Sequence, residues 1–463
     1  MTDFSTIDKQ LDEWINARRD EIIVSAQDLI RIPSVLGPAA PGAPFGIEPL
    51  RALEYVRDLC DGHGLTTKIV DGYAMHAQLG DSGRLIGVLS HVDVVPAGED
   101  WTYPPFGAVL ADGKLYGRGA LDDKGPGIAS LYAMFAVQAA GVKLKSRIRA
   151  ILGADEETGF RCVDYYFKHE EMPEIGFTPD GSFPAIYAEK GIATPVLRSR
   201  IPSTSDAIKL IEFSAGARSN MVPDRAVAKL TGNPALFSSV KTAAEAPVRA
   251  AVEGEALVVR AYGVSAHASY PHEGINAVGL LTEWLIGSGL VPGLQDWLTT
   301  LRSFAVDNTG APLGIAGRDE IVGPLTSNLG VVATDGEELT ATFSVRYPVT
   351  WKSEQIKASI ARTVTGGFEL VGLTDSPPLY VPKDDPLVKT LMEVYRAETG
   401  DDGPPKTMGG GTYARSLRKG VAFGPNFPGF PDVAHKADEF WYIDELITST
   451  RIYAKALIRL AMA

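Results

Sequence analysis

Cysteine is nearly missing: the 463 residues hold two, Cys60 and Cys162, far apart and in no metal-type spacing. A disulfide framework is thereby excluded, and a reducing compartment is the expected setting. There is no Lys/Arg-rich run, and the formal net charge is −13, with 44 basic against 57 acidic residues. Such a balance does not suit nucleic acid or an anionic membrane surface as the main partner, whereas clustered carboxylates do suit a cation. Uninterrupted apolar stretches long enough to span a bilayer are missing as well. The opening MTDFSTIDKQLDEWINARRDEI is polar and amphipathic, without the apolar region of a signal peptide. The expectation is a soluble, cytoplasmic protein with no nucleic-acid or membrane partner.

What is present is globular in composition, 45% hydrophobic and 22% charged, and longer than one ordinary core requires. Apolar spacing predicts an amphipathic helix over 6–31 and another over 47–61, then strands in TTKIVDGYAMHAQLG and RLIGVLS. A helix in GPGIASLYAMFAVQAAG and a strand in RIRAILGA follow. Strands alternating with helices of this length imply an α/β layer structure with a largely parallel sheet. After about residue 184 the texture changes to alternating strands, such as IKLIEFSAG and ALVVRAYGVSAH, with the helices NAVGLLTEWLIG, DWLTTLRSFA and SEQIKASIARTV between them. That pattern reads as α+β. Helix–strand texture returns near 384, so residues 185–383 are expected to be an insert in a domain built from 1–184 and 384–463.

Polar residues gather where predicted strands end. VLSHVD gives His91 and Asp93, and GRGALDDKG gives Asp122 and Asp123. ILGADEETG gives Asp155, Glu156 and Glu157; GFTPDGSFP gives Asp180, and DVAHKADEF gives His435. Taken singly, each is as ordinary as a turn or a solvated charged face. Together they are not, because several acids at the ligand-binding ends of strands would repel one another without a cation. Two imidazoles and several carboxylates suffice for two divalent metals that share a carboxylate and activate a water between them. In the pair Glu156-Glu157, one carboxylate can ligate while its neighbour takes the proton of the attacking water and passes it to a leaving amine. His267, in GVSAHASYPHEG, has two open readings: it polarises a substrate carbonyl, or it caps the following helix.

The order HxD, GRGxxDxKG, an E-E pair, a PD element and a late histidine resembles the M20 family of co-catalytic zinc metallopeptidases along the whole chain. GRGALDDKGP, PDGSFP and MGGGTYARSL look most like its dipeptidase V branch, to which carnosinase-type dipeptidases are related. The resemblance implies a mostly parallel-sheet catalytic domain with an inserted, enlarged α+β lid. It implies that His91 and Asp180 hold one zinc, that Glu157 and His435 hold the other, and that Asp122 bridges them, with Mn²⁺ or Co²⁺ as possible substitutes. Asp93 would orient His91 by accepting its other N–H, and Glu156 would be the general base. A cis peptide is implied at Asp122–Asp123. In the lid, Asn220, His267 and Arg346 would reach a small peptide substrate, His267 at the oxyanion and Arg346 at the carboxylate. GGGTYAR, and in it Gly410 and Gly411, would form a backbone cradle for that carboxylate. The implied activity is a zinc dipeptidase acting on short peptides with a free amino terminus. The alternatives are an N-acyl-amino-acid deacylase of the acetylornithine or succinyl-diaminopimelate type, or a silent binding homologue. The length of the insert fits a lid that supplies these contacts within one chain, so a monomer is expected.

Overall fold

The computed structural model describes residues 4–237, 240 and 245–463. The chain divides into two compact units, Met1–Tyr187 with Leu379–Thr407 and Thr412–Ala463, and Ala188–Pro378 with Met408–Gly411.

The first unit is built on a nine-stranded sheet. Its centre is parallel: Leu85–His91 pairs with Arg147–Gly153 on one side and Ile175–Thr178 on the other, and Ile175–Thr178 pairs with Gly420–Phe423. The flanks are antiparallel, through Ala74–Leu79 and Thr66–Val70 at one side and Ala185–Glu189 at the other. The parallel character expected from the sequence thus resides in the four central strands. Every residue of Leu85–His91 is buried, which is why its sequence is a continuous apolar run and does not alternate. The helix Lys124–Ala139 is buried almost all round and packs on Arg19–Ile30 and on Ile443–Met462. Its Gly-Pro-Gly start is a matter of space. A Cβ at Gly125 would lie 2.1 Å from the Ala120 carbonyl oxygen, and one at Gly127 would lie 2.8 Å from Ser90 Oγ.

The helix expected over 6–31 is two helices, Ser5–Asn16 and Arg19–Ile30. Arg18 breaks it: its φ of −113° leaves the helical region, and its guanidinium lies over the Trp14 ring at 4.1 Å. A small three-stranded sheet, Val109–Ala111, Lys114–Tyr116 and Phe440–Tyr442, escaped the sequence reading. Strands of three residues are too short to carry a period.

The second unit is an eight-stranded sheet in which every described pairing is antiparallel. In Gly191–Arg200 burial alternates residue by residue, as expected of a sheet with one face covered. The cover is helical. Leu281, Leu285, Leu298, Leu301, Phe304, Ile356 and Ile360 share a core with Phe213, Leu230, Val259 and Phe343 of the strands. Among the described residues of either unit, no helix is long and apolar enough to cross a membrane.

Candidate metal centre

Three adjacent parallel strands of the first unit deliver acids or imidazoles at their carboxyl ends. His91 is the last residue of Leu85–His91, Glu156 and Glu157 follow Arg147–Gly153, and Asp180 follows Ile175–Thr178. Asp122 comes from the turn before Lys124–Ala139, and its peptide bond to Asp123 is cis. The His91 imidazole is fully buried, with Nδ1 3.0 Å from the main-chain oxygen of Asp93. That contact turns Nε2 toward the acids. Nε2 lies 3.1 Å from Asp122 Oδ1. His435 Nε2 lies 2.9 Å from the other oxygen, Asp122 Oδ2, and 3.0 Å from Glu157 Oε1. Each oxygen of Asp122 therefore faces a different imidazole. Ligand atoms of His91, Asp122 and Glu157 all fall within 4.8 Å of one another.

The electrostatics suit a bound cation. Burial disfavours the charged form of His91, yet the hydrogen bond to Asp122 and the charges of Glu156, Asp93 and Asp123 hold its pKa well above the ordinary value. Burial likewise opposes charge on His435, but Asp122 and Glu157 push its pKa up to about 11. Burial would raise the Asp122 carboxyl; its two histidine partners instead hold it below the usual carboxylate range. Glu156 is pushed well above the ordinary range by burial and by the charges of Asp180, Glu157 and Asp122, against the pull of His91. In effect the acids draw protons onto both imidazoles. Divalent metal binds the same donor set in its deprotonated form, displacing those protons. The residues fit a metal.

Asp93 acts differently from the expectation. Its carboxylate Oδ1 stays 3.7 Å from His91 Nδ1, and it is the Asp93 main chain that meets the ring. The two carboxylate oxygens accept instead the N–H groups of Glu156 at 3.0 Å and Glu157 at 3.1 Å. The physical reason is that both N–H groups lie beyond the end of a strand and have no ladder partner. Asp93 thus orients the glutamate pair through its side chain and His91 through its backbone. Asp180 is half-buried, and its charge raises both Glu156 and Asp123.

Of the expected substrate contacts, Asn220, His267, Arg346, Gly410 and Gly411 all belong to the second unit. His267 is exposed and bridges Met221, and the Ala268 N–H donates to the Asn220 carbonyl at 2.9 Å. The Ser269 N–H donates to His267 Nδ1 at 3.2 Å. A neutral ring held in this way carries its proton on Nε2 and presents a donor. Gly409 packs on Ser269, where an added Cβ would come within 3.2 Å of the serine Cβ, so the glycine run adjoins the histidine loop. Arg346 is buried on Glu338–Tyr347, with Thr326 and Ile192 as its sheet partners. The stretch GGGTYAR is shared between the two units. Gly409–Gly411 go with the second unit and Thr412–Arg415 with the first. There Tyr413 is fully buried, its hydroxyl 2.7 Å from Cys162 Sγ and its ring edge-on to His91.

Sequence reasoning missed Glu439, whose buried carboxylate accepts the N–H of Asp122 at 3.1 Å. The only signal was its place four residues after His435.

A sequence profile of peptidase family M20/M25/M40 matches residues 87–459. The chain belongs to that family. As an M20 enzyme it is a peptide hydrolase, and family membership together with the ligand cluster supports metal dependence. This M20 chain is 43% identical over 455 residues to the putative dipeptidase YtjP of Bacillus subtilis, covering 96% of this chain and 98% of that protein. Among solved structures it is similar to the dipeptidase Dug1p of Saccharomyces cerevisiae, with a TM-score of 0.63, 14% identity, and 98% and 99% of the two chains covered. Human carnosine dipeptidase 1 is also similar, with a TM-score of 0.58, 15% identity and 99% of each chain covered. At those identities the two structures speak for the fold.

Proposed function

We propose that this M20 peptidase is a dipeptidase, cleaving the peptide bond of short peptides with a free amino terminus at a centre of two divalent ions. Zinc is the first candidate, and manganese or cobalt suit the same donors. His91 and Asp180 would hold one ion, Glu157 and His435 the other, and Asp122 both. The observation that carries this reading is the division of Asp122 between two imidazoles, Oδ1 to His91 and Oδ2 to His435. When bound, such a pair supplies Lewis acidity that activates a water and polarises the scissile carbonyl.

The chain's own residues do the rest. Glu156 takes the proton of the attacking water on its carboxylate and gives it to the leaving amine. Asp93 keeps Glu156 and Glu157 in register by holding both of their N–H groups. His267 would stabilise the oxyanion as charge develops, by donating from its ring. Arg346 would pair with the substrate carboxylate, with Gly410 and Gly411 offering main-chain N–H groups beside it and Asn220 a side-chain contact. The name of the Bacillus relative supports a dipeptide substrate.

The test is product formation by the purified chain, loaded with Zn²⁺ or Mn²⁺, on free dipeptides, a tripeptide, and N-acetyl and N-succinyl amino acids. Chelator-sensitive cleavage of free dipeptides is expected. Cleavage confined to the blocked amino acids would make the protein a deacylase. The chain is further proposed to act as a monomer, and light scattering that found an obligate dimer, inactive on dilution, would overturn that.

A further inference from the structure

We propose that Glu439 is the positioning residue of the metal centre, a buried clamp between the turn that carries Asp122 and the segment that carries His435. The inference rests on the metal-centre reading above.

Glu439 is fully buried. Its Oε1 accepts three main-chain N–H groups of the turn, from Gly119 at 3.1 Å, Leu121 at 3.0 Å and Asp122 at 3.1 Å. Its Oε2 accepts from the Arg118 guanidinium at 2.6 Å. Its main-chain oxygen accepts the Gly117 N–H at 2.9 Å. Donors from one short turn thus converge on one residue, and the next residue, Phe440, pairs in register with Tyr116.

The turn needs this because it lies outside any helix or ladder, and buried N–H groups must find acceptors. A carboxylate in such a place costs heavily unless it is paired. Arg118, whose side chain is 1% exposed, supplies the pair. Arg118 offsets the charge of Glu439, and the hold of Glu439 on the turn is geometric, through the three N–H groups. Holding the Asp122 N–H fixes the backbone from which the shared carboxylate projects. On the other side, Asp438 accepts the N–H groups of Thr102 at 2.8 Å and Tyr103 at 3.3 Å. The segment from His435 to Glu439 is thereby stitched to the first part of the chain, and the separation of Asp122 from His435 is set.

The experiment measures Zn²⁺ affinity of the full chain by competition with a chromophoric chelator, the visible spectrum of the Co²⁺ form, and the Tm of the metal-free form. Glu439→Gln is expected to weaken metal binding about 10–100-fold, shift the Co²⁺ bands and lower kcat with little change in KM. Glu439→Asp keeps the charge but shortens the reach, and is expected to fall between the two. Unchanged affinity and spectrum with only a lowered Tm would overturn the inference and leave the metal-centre reading standing. Failure of the wild-type chain to bind metal would overturn both. Should neither variant fold, hydrogen exchange on the metal-free wild type decides. Slow exchange at the Leu121 and Asp122 amides is expected, and exchange as fast as an open loop would refute the clamp.

Discussion

Two histidines on strands of one sheet, His76 and His91, are 6% and 0% exposed, and their titration runs in opposite directions. Burial and the nearby charge of Arg149 push His76 down to about 4, and its Nδ1 pairs with the Tyr166 hydroxyl at 2.8 Å. His91 is buried more deeply, but Asp122 and the surrounding acids carry it upward. Burial alone therefore does not mark a ligand. The mark is a set of carboxylates that outweighs burial, which is the arrangement a cation stabilises.

The comparison can be broken at either histidine. The largest effect is expected from His91→Asn, which should lose metal and bring turnover to background. His76→Asn should keep both and lower stability by about 1–3 kcal/mol, because the Tyr166 O–H loses its acceptor while its oxygen still accepts from Arg149. Metal analysis and a denaturant melt on each variant check this, and loss of metal from the His76 variant would erase the distinction. Next, Glu156→Ala should cut kcat about 10²–10⁴-fold with metal retained, measured by metal content and steady-state rates. His267→Ala should cut kcat about 10²–10³-fold, again with full metal. Metal loss there would move His267 into the ligand set.

A further effect concerns pH. The folded pKa of His76, about 4, lies below the ordinary 6.5, so between these values the unfolded chain binds a proton that the folded chain does not. The stability this gives is complete above about pH 6.5 and is lost as pH falls toward 4, by at most about 3 kcal/mol. His76→Asn should flatten that limb in melts of the metal-free protein, and an unchanged limb would show that His76 does not titrate this way.

Much of this was legible in the sequence, for reasons specific to each element. The run Leu85–Leu89 read as a buried strand because all seven residues of Leu85–His91 are enclosed. His91 and Glu157 could be grouped because each sits where an apolar strand stops and polar side chains appear, and Asp122 and His435 because they lie in turns beside them in the motif order. The break at Arg18 was hidden, since the apolar period continues past it. The use of the Asp93 carboxylate and of Glu439 was hidden for another reason. Their partners are main-chain N–H groups, which every residue but proline has and no letter of the sequence distinguishes. The division of GGGTYAR was equally invisible, because it depends on which neighbours the two halves pack against.

The central sheet has one further consequence, for the making of the protein. Gly420–Phe423 lies inside the sheet beside Ile175–Thr178, and His435 comes later still. A ribosome must therefore synthesise most of the chain before the sheet can be filled or the last imidazole can meet Asp122. Until His435 is made, the emerging polypeptide lacks the imidazole that faces Asp122 Oδ2.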